Sequence, residues 1–190
     1  MIEISFLPTE ALFALLWLVL RAAVWLRQKH IDWRREAVLL LLYVNLAVIL
    51  RVTFFPAARV NGRVRPLLFD AARMFPLRVN LLPFVALRHY RSRGELLLNL
   101  IGNIALFIPS GMLLPAVYRR LNSFGKVLAA GVGLSLGIEL LQLPFYVRST
   151  DVDDLILNTL GVAIGFGIRA AIRRFGKRRL ENNVIEERED

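Results

Sequence analysis

Apolar residues in this chain come in five long, nearly unbroken runs: Ile4 to Leu26, Ala37 to Phe55, Leu96 to Ala116, Val127 to Tyr146 and Leu155 to Ile172. A helix needs about 20 apolar residues to cross the hydrocarbon core of a bilayer, and each run meets or approaches that length. The runs are continuous and rich in Leu and Ala, without the alternation that marks the strands of a membrane barrel. The pattern therefore predicts an all-α polytopic membrane protein, a bundle of five transmembrane helices in one domain over residues 1–180. The last stretch, Glu181 to Asp190, is polar and is expected to be a disordered cytoplasmic tail. Pro109 and Pro144 fall within the third and fourth runs and are expected to kink or end those helices. Gly133 with Gly137, and Gly161 with Gly165, form two small-xxx-small patterns, which predict close packing of the fourth and fifth helices.

Composition agrees with a bilayer as solvent. Hydrophobic residues make up 56% of 190 residues and the mean hydropathy is +0.53, more apolar surface than a soluble domain of this length can bury. The net charge of +10 would point to nucleic acid in a soluble protein. Here the basic residues lie between apolar runs, where membrane topology and anionic headgroups account for them, so no nucleic-acid partner is expected. The absence of Cys excludes a disulfide framework, a thiol nucleophile and a Cys-ligated metal. Glu3 and Glu10 precede or enter the first run with no basic residue before it, unlike a secretory signal peptide, so that run is read as retained.

Basic loops stay in the cytoplasm, which orients the bundle. Arg27, Lys29, Arg34 and Arg35, then Arg119, Arg120 and Lys126, then Arg173, Arg174, Lys177, Arg178, Arg179 and Arg188 lie on one side, thirteen in all. On the other lie Arg148 and the eight arginines of the long connection, Arg59, Arg63, Arg65, Arg73, Arg78, Arg88, Arg91 and Arg93. The balance predicts an outside N-terminus and a cytoplasmic C-terminus, with inversion as the alternative. In the predicted orientation, Pro66 to Phe75 and Pro83 to Tyr90 would lie along the outer headgroups. Their arginines would meet lipid phosphates while Leu67, Leu68, Phe69, Phe84, Val85 and Leu87 enter the acyl boundary.

Polar residues within the runs carry the candidate chemistry, because a charge at mid-bilayer costs about 2.5 to 3.5 kcal/mol on the insertion scale. Asn99 and Asn103, Glu139 and Gln142, Asn158, and Arg51 all fall in the outer part of their helices, in one shallow layer. Residues three or four apart share a helix face, so Asn99/Asn103, Glu139/Gln142 and Asp154/Asn158 give three helices one polar pair each. The short connection above them supplies Arg148, Asp151 and Asp153. A concave polar site opening outward follows, with Arg51 or Arg148 expected to balance Glu139. Blander roles compete: Asn99 and Asn103 suit interhelical hydrogen-bond glue, and the three aspartates suit an N-cap with first-turn charges. His30 and His89 fall in connections on opposite sides and read as surface residues.

These residues sit in strings that resemble the VanZ-like family of bacterial membrane proteins. The strings are Asn80-Leu81-Leu82-Pro83-Phe84, Asn99-Leu100-Ile101-Gly102-Asn103 running to Phe107-Ile108-Pro109-Ser110-Gly111, Ile138-Glu139-Leu140-Leu141-Gln142, Arg148 through Asp151 and Asp153-Asp154, and Asn158-Thr159-Leu160-Gly161. The match runs from about Arg51 to Arg169 in the family's order and spacing; the first helix and tail add nothing to it. Ser110 departs from a frequent Leu, with no expected effect on the polar site. The resemblance implies a bacterial plasma-membrane protein, and the family's founder is associated with resistance to the glycopeptide teicoplanin. It assigns no reaction and no cofactor. By position it carries over Asn80, Asn99, Asn103, Glu139, Gln142, Arg148, Asp151, Asp153, Asp154 and Asn158.

The expected ligand-binding set is these ten residues and Arg51. The leading expectation is a pocket for an anionic lipid-linked cell-wall precursor or lipid headgroup, with arginines on phosphate and asparagines orienting the ligand. A membrane-embedded enzyme is the alternative, with Glu139 or Asp154 as general base and Asp151, Asp153 and Asp154 as candidate oxygen ligands to a divalent cation. A third class is a packing or assembly protein with no ligand. Transport is disfavoured by the lack of an evident inverted repeat.

Overall fold

The structure is a computed structural model that describes residues 2–28, 30–55, 59–60, 63–70, 72, 79–80, 82–83, 92–145 and 150–189. A short strand β1 (Ile2–Ile4) leads into α1 (Phe6–Arg27), followed by α2 (Trp33–Phe54). Four strands punctuate the long connection: β2 (Arg59–Val60), β3 (Arg63–Val64), β4 (Leu67–Phe69) and β5 (Val79–Asn80). Then come α3 (Arg93–Val117), α4 (Phe124–Gln142), β6 (Thr150–Asp151) and α5 (Val152–Glu189). Five helices are long and apolar enough to cross a membrane, α5 through its portion Val152–Gly176. The expected bundle of five spans is therefore present.

Helix ends follow from local chemistry. Asp32 caps α2 by accepting from the N–H groups of Arg34 and Arg35 at 3.1 and 3.2 Å, and the Ser92 hydroxyl caps α3 by accepting from Glu95 N–H at 3.1 Å. The fourth helix ends at Gln142, two residues before Pro144, whose ring disfavours helical continuation. Pro109 does not interrupt α3, which runs through both Pro109 and Pro115. Pro109 offers no N–H to its own helix, and nearby the Leu106 carbonyl accepts from Asn45 Nδ2 of α2 at 3.0 Å. The Glu181 to Asp190 tail differs from expectation, since α5 continues as helix to Glu189. Its four Glu and one Arg are good helix formers added to an existing helix, so no new nucleation step is needed.

The core is built around α3, which packs most extensively on α5 and then on α2. Phe107, Val127, Ile138, Val162 and Ile49 form one buried apolar cluster, and Leu39, Leu42 and Val117 form a second at the other end of α2. Glycine makes the α3–α5 approach possible. A Cβ added at Gly161 would stand 2.2 Å from the Ile104 carbonyl oxygen, one at Gly165 2.0 Å from that of Ile108, and one at Gly111 2.1 Å from that of Val162. The helices thus meet backbone to backbone, with glycine on both sides. The sequence pattern correctly singled out Gly161 and Gly165 but assigned their partner to α4. Gly133 and Gly137 have nothing within 4 Å of an added Cβ, so this pair makes no such close contact.

Helix α1 stands apart, with no buried residue in it. It is held by β1 pairing antiparallel with β4 (Ile2↔Phe69, Ile4↔Leu67), by Phe13 and Trp17 against Tyr43, and by the doubly hydrogen-bonded pair Arg21–Glu36. The β1–β4 ribbon changes the picture of the connection. Leu67 is only 3% exposed, Phe69 packs on Phe145 at 5.9 Å, and Asp70 N–H donates to the Pro144 carbonyl at 2.9 Å. This part of the connection lies against protein rather than along lipid, because a strand edge in a bilayer needs a partner for its backbone groups. The expected surface segment Pro83 to Tyr90 lies, beyond Pro83, outside the described residues.

Candidate polar cavity

The shallow polar layer becomes a cavity of about 540 Å³ enclosed by α2, α3, α4 and α5. Six of the expected residues line it: Asn99 and Asn103 from α3, Glu139 and Gln142 from α4, and Asp154 and Asn158 from α5. The i, i+3 and i, i+4 spacing accounts for this, since it turns both members of each pair to the same side. Two of the groups are nearly sealed from the surface, Glu139 at 3% exposure and Asn158 at 2%. Hydrogen bonds fix the walls. Asn103 Nδ2 donates to Asp154 Oδ1 at 2.7 Å, Asn158 Nδ2 to Ser135 Oγ at 2.9 Å, and Gln142 Nε2 to the Thr53 carbonyl at 2.7 Å.

A lid of extended chain closes the layer from above. Strand β5 pairs in parallel with β6, Val79 opposite Thr150 and Asn80 opposite Asp151. Asn80 Nδ2 donates to Asp151 Oδ2 at 3.3 Å, and Asp151 N–H donates to Glu139 Oε2 at 3.2 Å, so a single line of contacts leads from the connection to the buried carboxylate. Asp151 also receives the Asp153 N–H on Oδ1 at 3.0 Å, the N-cap geometry for α5. Asp153 and Asp154 occupy the first turn of that helix, where its dipole favours negative charge.

Several expectations change. Arg51 does not line the cavity: its Nη1 donates to the Phe55 carbonyl at 2.7 Å and its guanidinium lies 4.8 Å over the Phe6 ring. An arginine near a helix end satisfies the last carbonyls of its own helix at short range, and here that contact prevails. Asn80, Asp151 and Asp153 stand beside the cavity as its cap rather than in its lining, and Arg148 lies outside the described residues. Asp151, Asp153 and Asp154, the candidate cation ligands, do not form such a site here: among the described residues no group of three His, Cys, Asp or Glu could hold a metal ion.

The polar residues that sequence reading passed over are Asn45, Ser110 and Ser135, all buried. Ser110 Oγ donates to Asn45 Oδ1 at 2.5 Å, so Ser110, which does not line the polar cavity, bridges α3 to α2. An Asn within an apolar run was the available signal for Asn45; the serines carried none, since Ser in membrane helices often bonds its own backbone. Thr53 contributes through its carbonyl, which no side-chain pattern reveals.

The lining defines what the site can do. Its charges are the carboxylates of Glu139 and Asp154, its other polar side chains are amides and the Thr53 hydroxyl, and among the described residues no basic side chain lines it. Such a set accepts hydrogen bonds more readily than it neutralises an anion. Between α2 and α3 the rim is apolar and faces outward, with Val52 53% and Leu98 77% exposed. A larger opening of about 870 Å³ lies at the other end of the bundle, between the α1–α2 turn and the end of α3, and shares no residue with this layer.

Comparison with known proteins agrees with the resemblance seen in the motifs. The sequence model described as VanZ/LLP1 matches residues 40–173, which include every cavity residue. Protein VanZ of Enterococcus faecium is 30% identical over 108 residues, covering 56% of this chain and 62% of that protein, so the similarity spans less than two thirds of the relative's length. No solved structure matches the chain.

Proposed function

The chain belongs to the VanZ/LLP1 family of membrane proteins, and from that premise we propose that its polar cavity receives the headgroup of a lipid-linked component of the bacterial cell envelope. The observation that carries this reading is the combination of a carboxylate- and amide-lined interior with an apolar rim, Val52 and Leu98, that faces the bilayer between α2 and α3. A ligand whose tail stays in lipid reaches such a cavity sideways. Inside, Glu139, Asp154, Asn99 and Asn103 accept from and orient the hydroxyl, amide or amine groups of the headgroup. Its phosphate stays at the mouth, where Arg78 and Arg148 are close in sequence to the cap residues Asn80 and Asp151. The ligand is thus anionic overall while its anionic part remains outside the acidic cavity.

The protein in this reading is a multi-pass component of the plasma membrane with its N-terminus outside, its C-terminus in the cytoplasm and the cavity in the outer half of the bilayer. Occupying or withdrawing an envelope lipid there would change the surface met by glycopeptides such as teicoplanin. The direct test is teicoplanin susceptibility of cells carrying Glu139→Gln, Asp154→Asn or Asn103→Leu at equal membrane abundance. Each is expected to abolish whatever protection the unmodified chain confers, and full protection by all three would refute the cavity's role. The proximity of two carboxylates in one cavity also supports an enzymatic reading, with Glu139 or Asp154 as general base. That reading differs in predicting turnover of the lipid-linked substrate by the purified protein.

A further inference from the structure

Arg21 and Arg169 both stand inside membrane-spanning segments, and of the two only Arg21 pairs with an anion among the described residues. Arg21 of α1 is paired through both nitrogens with Glu36. Arg169 of α5 has one long contact, Nη1 to the Met112 carbonyl at 3.4 Å, and its Nε is buried with no hydrogen-bond partner. Among the described residues no carboxylate pairs with it. A guanidinium with its Nε buried and no counter-ion is costly in a membrane, so such a group calls for an anion from elsewhere.

The space beside it is suited to one. A cavity of about 390 Å³ lies between the end of α3, the α3–α4 turn and α5, and Arg169, Arg119, Arg173 and Asn122 converge on it. Among the described residues no acidic side chain lines it, and its other walls are apolar, including Phe166 and Leu121. Arg169 and Arg173 are four residues apart and share a face of α5. Their depth also fits. Arg169 lies seventeen residues from the start of α5 at Val152, about 26 Å along the axis, near the far headgroup layer of a hydrocarbon core about 30 Å thick.

We infer that Arg119, Arg169 and Arg173 form a binding site for the phosphate of an anionic phospholipid, in the leaflet opposite the polar cavity, with the acyl chains running along Phe166. The chemistry is charge-assisted hydrogen bonding of phosphate oxygens to several guanidinium groups, which arginine does with two parallel bonds at a time. The choice of a lipid over a soluble phosphate rests on the apolar walls and on the depth of Arg169. This site shares no residue with the cavity of the proposed function and stands or falls independently of it.

The test is native mass spectrometry of the full-length protein in mild detergent, titrated with phosphatidylglycerol or with zwitterionic phosphatidylcholine. One tight phosphatidylglycerol is expected, held at least about fivefold more tightly than phosphatidylcholine. Arg119→Gln and Arg173→Gln should each weaken it by about fivefold, the effect of one basic residue near a membrane surface. Arg169→Gln should weaken it more, with circular dichroism to establish that the variant is folded. Arg174→Gln removes the same charge from the neighbouring position outside the cavity and should change retention little. Equal loss in Arg173→Gln and Arg174→Gln would reduce the effect to general surface charge and overturn the site, as would equal retention of the two lipids. Displacement of phosphatidylglycerol by millimolar inorganic phosphate would reassign the site to a soluble anion and overturn the lipid source.

Discussion

Replacing Gly165 by Ala is the sharpest test of the packing on which the cavity depends. The new methyl would fall 2.0 Å from the Ile108 carbonyl oxygen, and ordinary contact begins at 3.4 Å, so α3 and α5 would have to separate locally by about 1.4 Å. The obstacle is backbone and cannot rotate aside. Overpacking of this kind costs about 1–3 kcal/mol. The separation also reaches the Asn103–Asp154 hydrogen bond between the same two helices, now 2.7 Å, and losing it adds about 1 kcal/mol. Against this, Ala is the better helix former by about 1 kcal/mol, leaving a net loss of about 1–3 kcal/mol. Gly137→Ala is the matched control: its methyl meets nothing within 4 Å, so only the gain in helix propensity remains. Thermal unfolding of the two purified variants, followed by circular dichroism in the same detergent, should therefore move in opposite directions. At about 2–4 °C per kcal/mol for a chain of this size, the difference of about 2–4 kcal/mol between them separates the midpoints by about 4–16 °C. Equal shifts, or a Gly165→Ala midpoint at or above that of the unmodified protein, would refute the backbone-contact account of the α3–α5 interface.

Other consequences can be measured in the same preparations. Asn45→Leu removes the donor to the Leu106 carbonyl and the acceptor of Ser110, and is expected to destabilise by about 1–3 kcal/mol in a detergent unfolding titration; Ser110→Ala should cost less, and the double variant less than the sum. Arg21→Gln leaves Glu36 in a low-dielectric setting and should lower the unfolding midpoint, whereas Arg21→Gln with Glu36→Gln should recover part of the loss; additive single losses would argue against a coupled pair. For orientation, single Cys residues introduced at Val60 and Ser149 of the Cys-free chain should label with an impermeant maleimide in intact cells, and one at Asn122 only after permeabilisation. The reverse pattern would invert the bundle.

The five spans and their polar pairs were legible in the sequence because both rest on local periodicity. A bilayer forces helices on long apolar runs, and three helices each carrying two polar residues on one face have few ways to satisfy them except together. Long-range choices were not legible. Gly133/Gly137 and Gly161/Gly165 read alike as strings, yet only the second pair meets a backbone, because the selection depends on which helix arrives opposite. Arg51 read as a partner for Glu139, but a carbonyl four residues away in its own chain is a nearer acceptor than a carboxylate on another helix. The β1–β4 and β5–β6 pairings link segments more than sixty residues apart through backbone groups, which carry no residue-type signature.

The glycine contact also dictates an order of events during synthesis. Its two sides, α3 and α5, are separated in the chain by the whole of α4, and 48 residues must be translated between Val117 and Gly165. At about 5–20 residues per second, α3 waits several seconds in the membrane before its main partner exists. Throughout that interval the Ile104 and Ile108 carbonyl face has no glycine against it and Asn103 has no Asp154. Helix α5, made after α2, α3 and α4, is therefore the one that completes the site, and α3 is the stage at which an insertion chaperone would find polar groups still seeking partners.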